Sequence, residues 1–510
     1  MGATPVSEQS TAPSVDSADV QGLVRFGHGR LKEACYLLLR IRDAAAARSW
    51  CAAAPVTTAA LQEHPPGTAL QVAFSAAGLR ALDLPAGVLE GFSPEFQSGM
   101  AGEESRSRRL GDIGANAPQN WEWGQPGSEP DVVVMLFAAQ DQLAAFRAKV
   151  EDAAFQAAFE TIWSLPTNDF EGYEPFGFKD GISQPEVDWQ RQRSPSQDEL
   201  TYTNLVALGE FLLGYPNEYG KYTTRPLLDA GAKGADGLLP AEDQPGKKDL
   251  GRNGAYVVLR TLEQDVRGFW KFLDAAAKSD ASERARLGSA AVGRTTEGEP
   301  LVPLSQTAIP GITVKPGDPP NRFTFDADPN GTRCPFGSHI RRVNPRNVDL
   351  PGHPEWFLAH LMQMLALTPP TFRGDIMAST RFHRILRRGR EYGVRLSVEE
   401  ALKPAPPDEP RSGLHFLCVN ANITRQFEFV QNAWVMSTKF DGLSEESDPL
   451  LGNRAAVGDC PYTGNFSMPR EGAPPRVLTD MPPFITVRGG GYFFLPSVRA
   501  LRYFGTGPHS

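Results

Sequence analysis

Asp131-Val132-Val133-Val134-Met135-Leu136-Phe137 is the stretch on which the fold turns. Its apolar run, rich in β-branched valine, has the length and composition of a strand. It leads into a helical pattern over about 140–162, rich in Ala, Phe and Leu. Toward the start of the chain, 36–41 is another short apolar run. Residues 70–74 alternate before Ser75 and Gly78, where a helix through Leu79 and Leu82 is expected to begin. In the other direction, 255–260 is again strand-like and precedes a helical pattern over 263–273. Residues 414–419 predict a further strand. After it, Ile423, Phe427, Val430 and Trp434 fall at i, i+4, i+7 and i+11 on one helix face. Two stretches of the same kind therefore flank a Gly-, Pro-, Asp- and Lys-rich passage at about 215–253.

A chain of 510 residues has room for two domains, or three, each with a full core. The expected division is a disordered Ser/Thr/Pro/Ala-rich tail at 1–18, an N-terminal domain at 19–214, a linker or insertion at 215–253 and a C-terminal domain at 254–510. Pro/Gly-rich passages at 294–335, 403–413 and 439–491 are expected to shape a site or an interface. With 51 Lys+Arg against 60 Asp+Glu the formal charge is −9, which repels phosphate backbones and argues against a nucleic-acid partner. Cys35, Cys51, Cys334, Cys418 and Cys460 are scattered and without CxxC spacing, which fits a reducing compartment and no structural zinc. No apolar run approaches the roughly 18 residues of a membrane helix, so no membrane partner is expected. The first residues show neither a signal peptide nor paired arginines, and a cytoplasmic location is expected. Nucleophile elbows, Gly-Lys-Ser/Thr loops and HExxH helices are missing, which removes the commonest motif-based enzyme classes.

Three strings carry chemistry. In the first, Phe176-Gly177-Phe178-Lys179-Asp180-Gly181-Ile182-Ser183-Gln184-Pro185, the Asp-Gly pair is ordinary turn chemistry. The flanking Phe176, Phe178 and Ile182 suggest an apolar wall, where desolvation raises a carboxyl pKa and suits it to passing protons. The second runs from Cys334 to Arg346 and sets His339 beside Arg341, Arg342 and Arg346, an arrangement able to hold a metal centre together with anionic carboxylates. Cys334 and His339 also make half of a zinc site, with no second pair at ligand spacing. The third, 381–393, holds five arginines in ten residues and reads either as a basic surface or as an anion pocket.

These strings carry a family resemblance over about residues 20–504. GFKDGISQP around Asp180, CPFGSHIRRVNPR around His339, RILRRGREYG around Arg387 and FITVRGGGYFFLPSVRAL near the C-terminus resemble the dye-decolourising peroxidases, b-type haem enzymes. Length and insertions are similar to the longer intracellular bacterial subgroup. The resemblance implies an α+β fold of two ferredoxin-like domains, of the dimeric α+β barrel type, with one haem b per chain in the C-terminal domain. The periodicity only permits that fold.

Position by position, the resemblance makes His339 the proximal iron ligand, Asp180 the distal acid-base residue and Arg387, rather than its neighbour Arg388, the distal arginine. Leu414 and Phe416 match the apolar pair of the distal cavity, with Phe178, Gly181 and Ile182 beside Asp180. Arg341 and Arg346 are candidates for the haem propionates. Gly389 stands where one branch of the family has an asparagine, so Asp180 and Arg387 are expected to act without a third distal group. Ser338 replaces a usual alanine and is expected to add a hydrogen bond near the proximal face. A carboxylate should orient His339, and Glu428 is the candidate, although helical phase sets it off the apolar stripe. The implied partners are hydrogen peroxide and aromatic reducing substrates; the oligomeric state stays open. Two other readings compete. One is a haem-handling protein with little turnover, which needs His339 alone, and the other is a nucleic-acid or scaffold protein using 381–390.

Overall fold

The structure, a computed structural model, describes residues 14–192, 204–302, 321, 323–325, 327–346, 380–454 and 464–507. Among them, nine strands form one antiparallel sheet: β1 (Glu33–Ile41), β2 (Thr68–Phe74), β3 (Val132–Ala138), β4 (Phe159–Pro166), β5 (Ala255–Gln264), β6 (Leu386–Arg387), β7 (Arg390–Tyr392), β8 (Gly413–Asn420) and β9 (Ile485–Leu495). Their order is β6-β8-β5-β9-β2-β3-β1-β4, with β7 also paired to β8. Strands from the first half lie together, strands from the second half lie together, and the groups meet where Phe494 of β9 pairs with Phe74 of β2. This is the α+β architecture of two ferredoxin-like halves.

Every residue of β3 is buried. Val132, Val134 and Leu136 enter one core cluster while Val133, Met135 and Phe137 enter the other, because both sheet faces are covered. That is why the strand reads as an unbroken apolar run instead of an alternation. Helices begin where the sequence supplies caps. Asp43 starts α1 (Ala44–Ala53), Asp265 starts α2 (Val266–Ala276) and Asp280 starts α3 (Ala281–Val292), each accepting a backbone N–H from the first turn. A five-residue helix, α4 (His339–Val343), follows. The late helix α5 (Val498–Thr506) packs back across α1. Its Phe504 meets Phe74 edge-on at 5.5 Å.

Several expectations change. The helical pattern at 140–162 is two short helices, Leu143–Val150 and Ala153–Ala158, followed by β4. Pairing of β4 with β1 overrides local propensity there, and the strand edges the sheet with Trp163 40% exposed. Residues 424–436 form a wide helix of the i→i+5 kind, in which the Glu428 N–H donates to Ile423 O at 2.9 Å. The passage 215–253 is an ordered excursion: Leu227–Asp229 pairs with Lys247–Asp249, and buried Arg225 donates to Asp249 at 2.5 Å. Of the expected tail, 1–13 lies outside the described residues, as does Cys460. Residues 14–18 are part of a docked segment, with Asp16 paired to Arg499 and Asp19 accepting the Arg499 N–H.

Candidate active site

A cavity of about 240 Å³ is lined by Asp180, His339 and Arg387, one from each string. Asp180 reaches it on a hairpin, 172–180, closed by the Asp180 N–H donating to Gly172 O at 2.8 Å. Gly172 and Gly177 sit at φ 83° and 93°, a backbone region that other residues adopt at a cost. Two aromatic anchors hold the hairpin to α2: Phe176 lies 4.6 Å from Phe269, and Phe178 stacks on Trp270 at 6.0 Å. Turn chemistry is thus the means by which the Asp-Gly pair presents its carboxylate. Phe178 and Ile182 line the cavity. Gly181 does not appear in its wall among the described residues; its N–H turns to the Asp180 carboxylate instead.

Arg387 Nη1 donates to Asp180 Oδ1 at 2.8 Å, and about 31% of each side chain is exposed. The next residue points the other way, as strand geometry requires. Arg388 donates to Leu23 O and Val24 O, each at 2.9 Å. The expected rise of the Asp180 pKa is not found. Burial pushes it up, but the Arg387 guanidinium and the Gly181 N–H outweigh that and hold it below the ordinary carboxylate range. Leu414 and Phe416 stand two apart on β8, on one face, and both line the cavity. A Cβ on Gly389 would come within 2.6 Å of His415 O and 3.0 Å of Leu417 N, so backbone leaves no room for a side chain there.

His339 opens α4. Ser338, just before it, donates from Oγ to Ala290 O of α3 at 2.5 Å, which fastens the helix start. His339 Nδ1 lies 2.9 Å from Asp448 Oδ2, while Asp448 Oδ1 accepts the Leu450 and Leu451 N–H groups at 2.9 Å each. Burial raises the Asp448 pKa, but His339, Arg342 and these N–H groups bring it below the ordinary range. An ionised carboxylate only accepts, so the hydrogen-bond network assigns the proton to Nδ1 and leaves Nε2 with its lone pair. Glu428, the carboxylate expected in this role, is engaged elsewhere: it pairs with Arg106 Nε at 2.8 Å and accepts from Tyr492 Oη at 2.9 Å. Asp448 lies 109 residues beyond His339 in an irregular passage, and no motif marks it.

The arginines divide as well. Arg341 does not appear in the cavity wall. It is buried against Asp328 Oδ2 at 3.1 Å and Cys334 O at 2.7 Å, between the rings of Phe325 and Phe336. Arg346 does line the cavity, and so does Arg294 at the end of α3, which the motifs missed. Arg294 donates to Gly298 O at 2.7 Å and Ser183 Oγ at 3.0 Å. Burial, reinforced by the positive charge of Arg346, brings it down to about 10. Like charges gathered on a buried wall call for an anionic occupant. These residues would suit a haem: Arg294 and Arg346 would face its carboxylates, and His339 Nε2 would offer a lone pair to its iron.

The competing chemistries find less. Burial pushes the Cys334 thiol up to about 11, and no group of three or more potential metal ligands exists among the described residues. Within 381–390, Arg384 and Arg390 are each 8% exposed, so this stretch is not a solvated basic face. No described helix is long and apolar enough to cross a membrane.

No family model matches the chain. Curated relatives do. The chain is 28% identical to a dye-decolorizing peroxidase of Exidia glandulosa, over 98% of this chain and 89% of that one. It is 28% identical to a multifunctional dye peroxidase of Amycolatopsis, over 80% and 78%. Among solved structures, a fungal DyP-type peroxidase from Auricularia auricula-judae superposes with a TM-score of 0.69 at 24% identity, covering 96% of this chain and 99% of the other. A DyP-type peroxidase from Anabaena gives 0.67 at 24%, covering 96% and 94%. The relatives are fungal as well as bacterial, and so do not single out a bacterial subgroup. Along almost its whole length the chain is therefore similar in sequence to dye-decolorizing peroxidases, and it shares their fold.

Proposed function

We propose that the chain reduces hydrogen peroxide to water and oxidises dyes, phenols or other aromatic donors by one-electron steps, using one haem b per chain held by His339. The observation that carries this reading is that one cavity gathers an imidazole oriented by a sealed carboxylate and a carboxylate-guanidinium pair open to the cavity. Bound haem supplies the iron that takes peroxide and stores its oxidising equivalents. His339 holds that iron through Nε2, with Asp448 fixing the tautomer. Asp180, ionised, paired with Arg387 and about 31% exposed, accepts the peroxide proton and returns it to the departing oxygen. Arg387 stabilises the negative charge that develops as the O–O bond breaks. Leu414 and Phe416 limit this side to small oxidants. The cytoplasmic location belongs to the same proposal; four described cysteines, Cys35, Cys51, Cys334 and Cys418, are buried free thiols, which suits a reducing compartment.

Asp180→Asn tests the reading. Holoprotein mixed with one equivalent of peroxide should change its Soret spectrum about 10²–10⁴-fold more slowly than wild type, with haem retained. A wild-type rate rejects the role of Asp180 and favours a haem-handling protein that needs His339 alone. Absence of any Soret band in the expressed protein rejects both.

A further inference from the structure

Glu174 lines the same cavity and has no part in the scheme above. Its carboxylate is fully engaged. Oε1 accepts the Phe178 N–H at 2.9 Å, while Oε2 accepts the Phe176 N–H at 3.0 Å and Gln264 Nε2 at 2.9 Å. Two of these donors belong to the hairpin that carries Asp180, and the third is the last residue of β5. Besides the aromatic anchors on α2 and Trp270 Nε1 donating to Phe176 O at 3.0 Å, the hairpin is tied by backbone bonds, Glu174 N–H to Phe178 O at 2.9 Å and Lys179 N–H to Thr296 O at 3.0 Å among them. With glycines at 172 and 177 contributing little intrinsic preference, its shape depends on such ties.

We propose that Glu174, as a carboxylate, is a positioning residue for Asp180: it braces the 172–180 hairpin from within, fastens it to β5 and so keeps Asp180 against Arg387. This rests on the peroxidase reading of the cavity. Hydrogen bonds to a charged carboxylate are roughly twice as strong as those to a neutral acid, so protonation weakens all three ties even though Oε1 keeps a lone pair for the proton. Burial, with the charge of Asp180 adding to it, pushes Glu174 up to about 7. The charged groups that face it are carboxylates, Asp180 on its own hairpin and Glu391 on β7, the latter also raised to about 7 by burial and then by Asp180. The brace is complete above that pH and is lost as pH falls through about 7. Asp180, held low, stays ionised across the same window, so a change in rate there is not its own, and loss of that change in Glu174→Gln separates Glu174 from Glu391.

The test measures the rate of the holoprotein with one equivalent of hydrogen peroxide from acid to mildly alkaline pH, in wild type, Glu174→Gln and Glu174→Asp. Wild type should slow as pH falls through about 7. Glu174→Gln, with an NH₂ where an acceptor stood, should react about tenfold more slowly at alkaline pH and lose that limb, its Soret band unchanged. Glu174→Asp, charged but one methylene shorter, should keep the limb and recover part of the rate. Hydrogen exchange of the 172–180 peptide, corrected for the intrinsic effect of pH, reads the brace without turnover and should accelerate in Glu174→Gln. If Glu174→Gln keeps both the rate and the limb while Asp180→Asn is slow, the brace is wrong and the peroxidase reading stands. Equal slowing at every pH with the limb intact also overturns it. A wild-type rate in Asp180→Asn instead removes the reading beneath it. Should Glu174→Gln fail to fold, absence of the limb in both wild type and Glu174→Asp overturns the proposal.

Discussion

Asp180, in the cavity wall, and Asp448, behind His339, are both held below the ordinary carboxylate range, yet their surroundings differ. Asp448 is completely sealed, and both its oxygens are committed, to His339 on one side and to two backbone N–H groups on the other. Asp180, partnered by Arg387 and the Gly181 N–H, still has about 31% of its side chain exposed. The depressed pKa alone therefore does not distinguish an orienting carboxylate from one that exchanges protons; access does. A sealed carboxylate fixes a tautomer, and a half-open one can meet substrate.

The contrast breaks most visibly at Asp448. Asp448→Asn keeps an acceptor but removes the charge, and should weaken haem retention about 10–100-fold, measured by transfer of haem to a scavenger protein. Unchanged retention would show that the sealed carboxylate is only packing. At the other carboxylate, Arg387→Leu removes the charge that opposes burial, so the pKa of Asp180 should rise. Its protonation then begins at a higher pH, so the low-pH limb that Asp180 sets, read in the Glu174→Gln background where the limb near 7 is gone, should move upward. A limb that stays, or moves down, contradicts the pairing. The smallest effect is expected next door. Arg388→Leu strips donors from Leu23 O and Val24 O, at a stability cost of about 1–3 kcal/mol, and should leave the peroxide rate unchanged. A large fall in rate would mean that the neighbouring arginine shares the distal role.

Much of this was legible in the residues. β3 and β5 announce themselves because strands covered on both faces are continuously apolar, and capping aspartates mark where α1, α2 and α3 start. β4 was not legible: only two of its eight residues, Phe159 and Leu165, are buried at the sheet edge, so its pattern blends into the helix before it. In the site, the strings located Asp180, His339 and Arg387, each next to glycine or in a dense local pattern. Asp448 and Arg294 have no such local mark. Their roles arise from contacts across the fold, 109 residues in the case of Asp448, which local sequence does not encode. Glu428 stands off the apolar stripe by helical phase, and in the wide helix 424–436 the cations Arg106 and Arg109 claim it.

The packing of α5 on α1 bears on how the molecule is made. Ala47, Trp50 and Cys51 of α1 share one core cluster with Ala500, Leu501 and Phe504 of α5. A ribosome delivers α1 early and α5 some 450 residues later, an interval of about 20–90 s at roughly 5–20 residues per second. Through that interval the apolar side of α1 waits for its cover. Closure of the first half therefore depends on completion of the second, and the nascent chain has a long period in which chaperones, or a wrong partner, can reach an unfinished core.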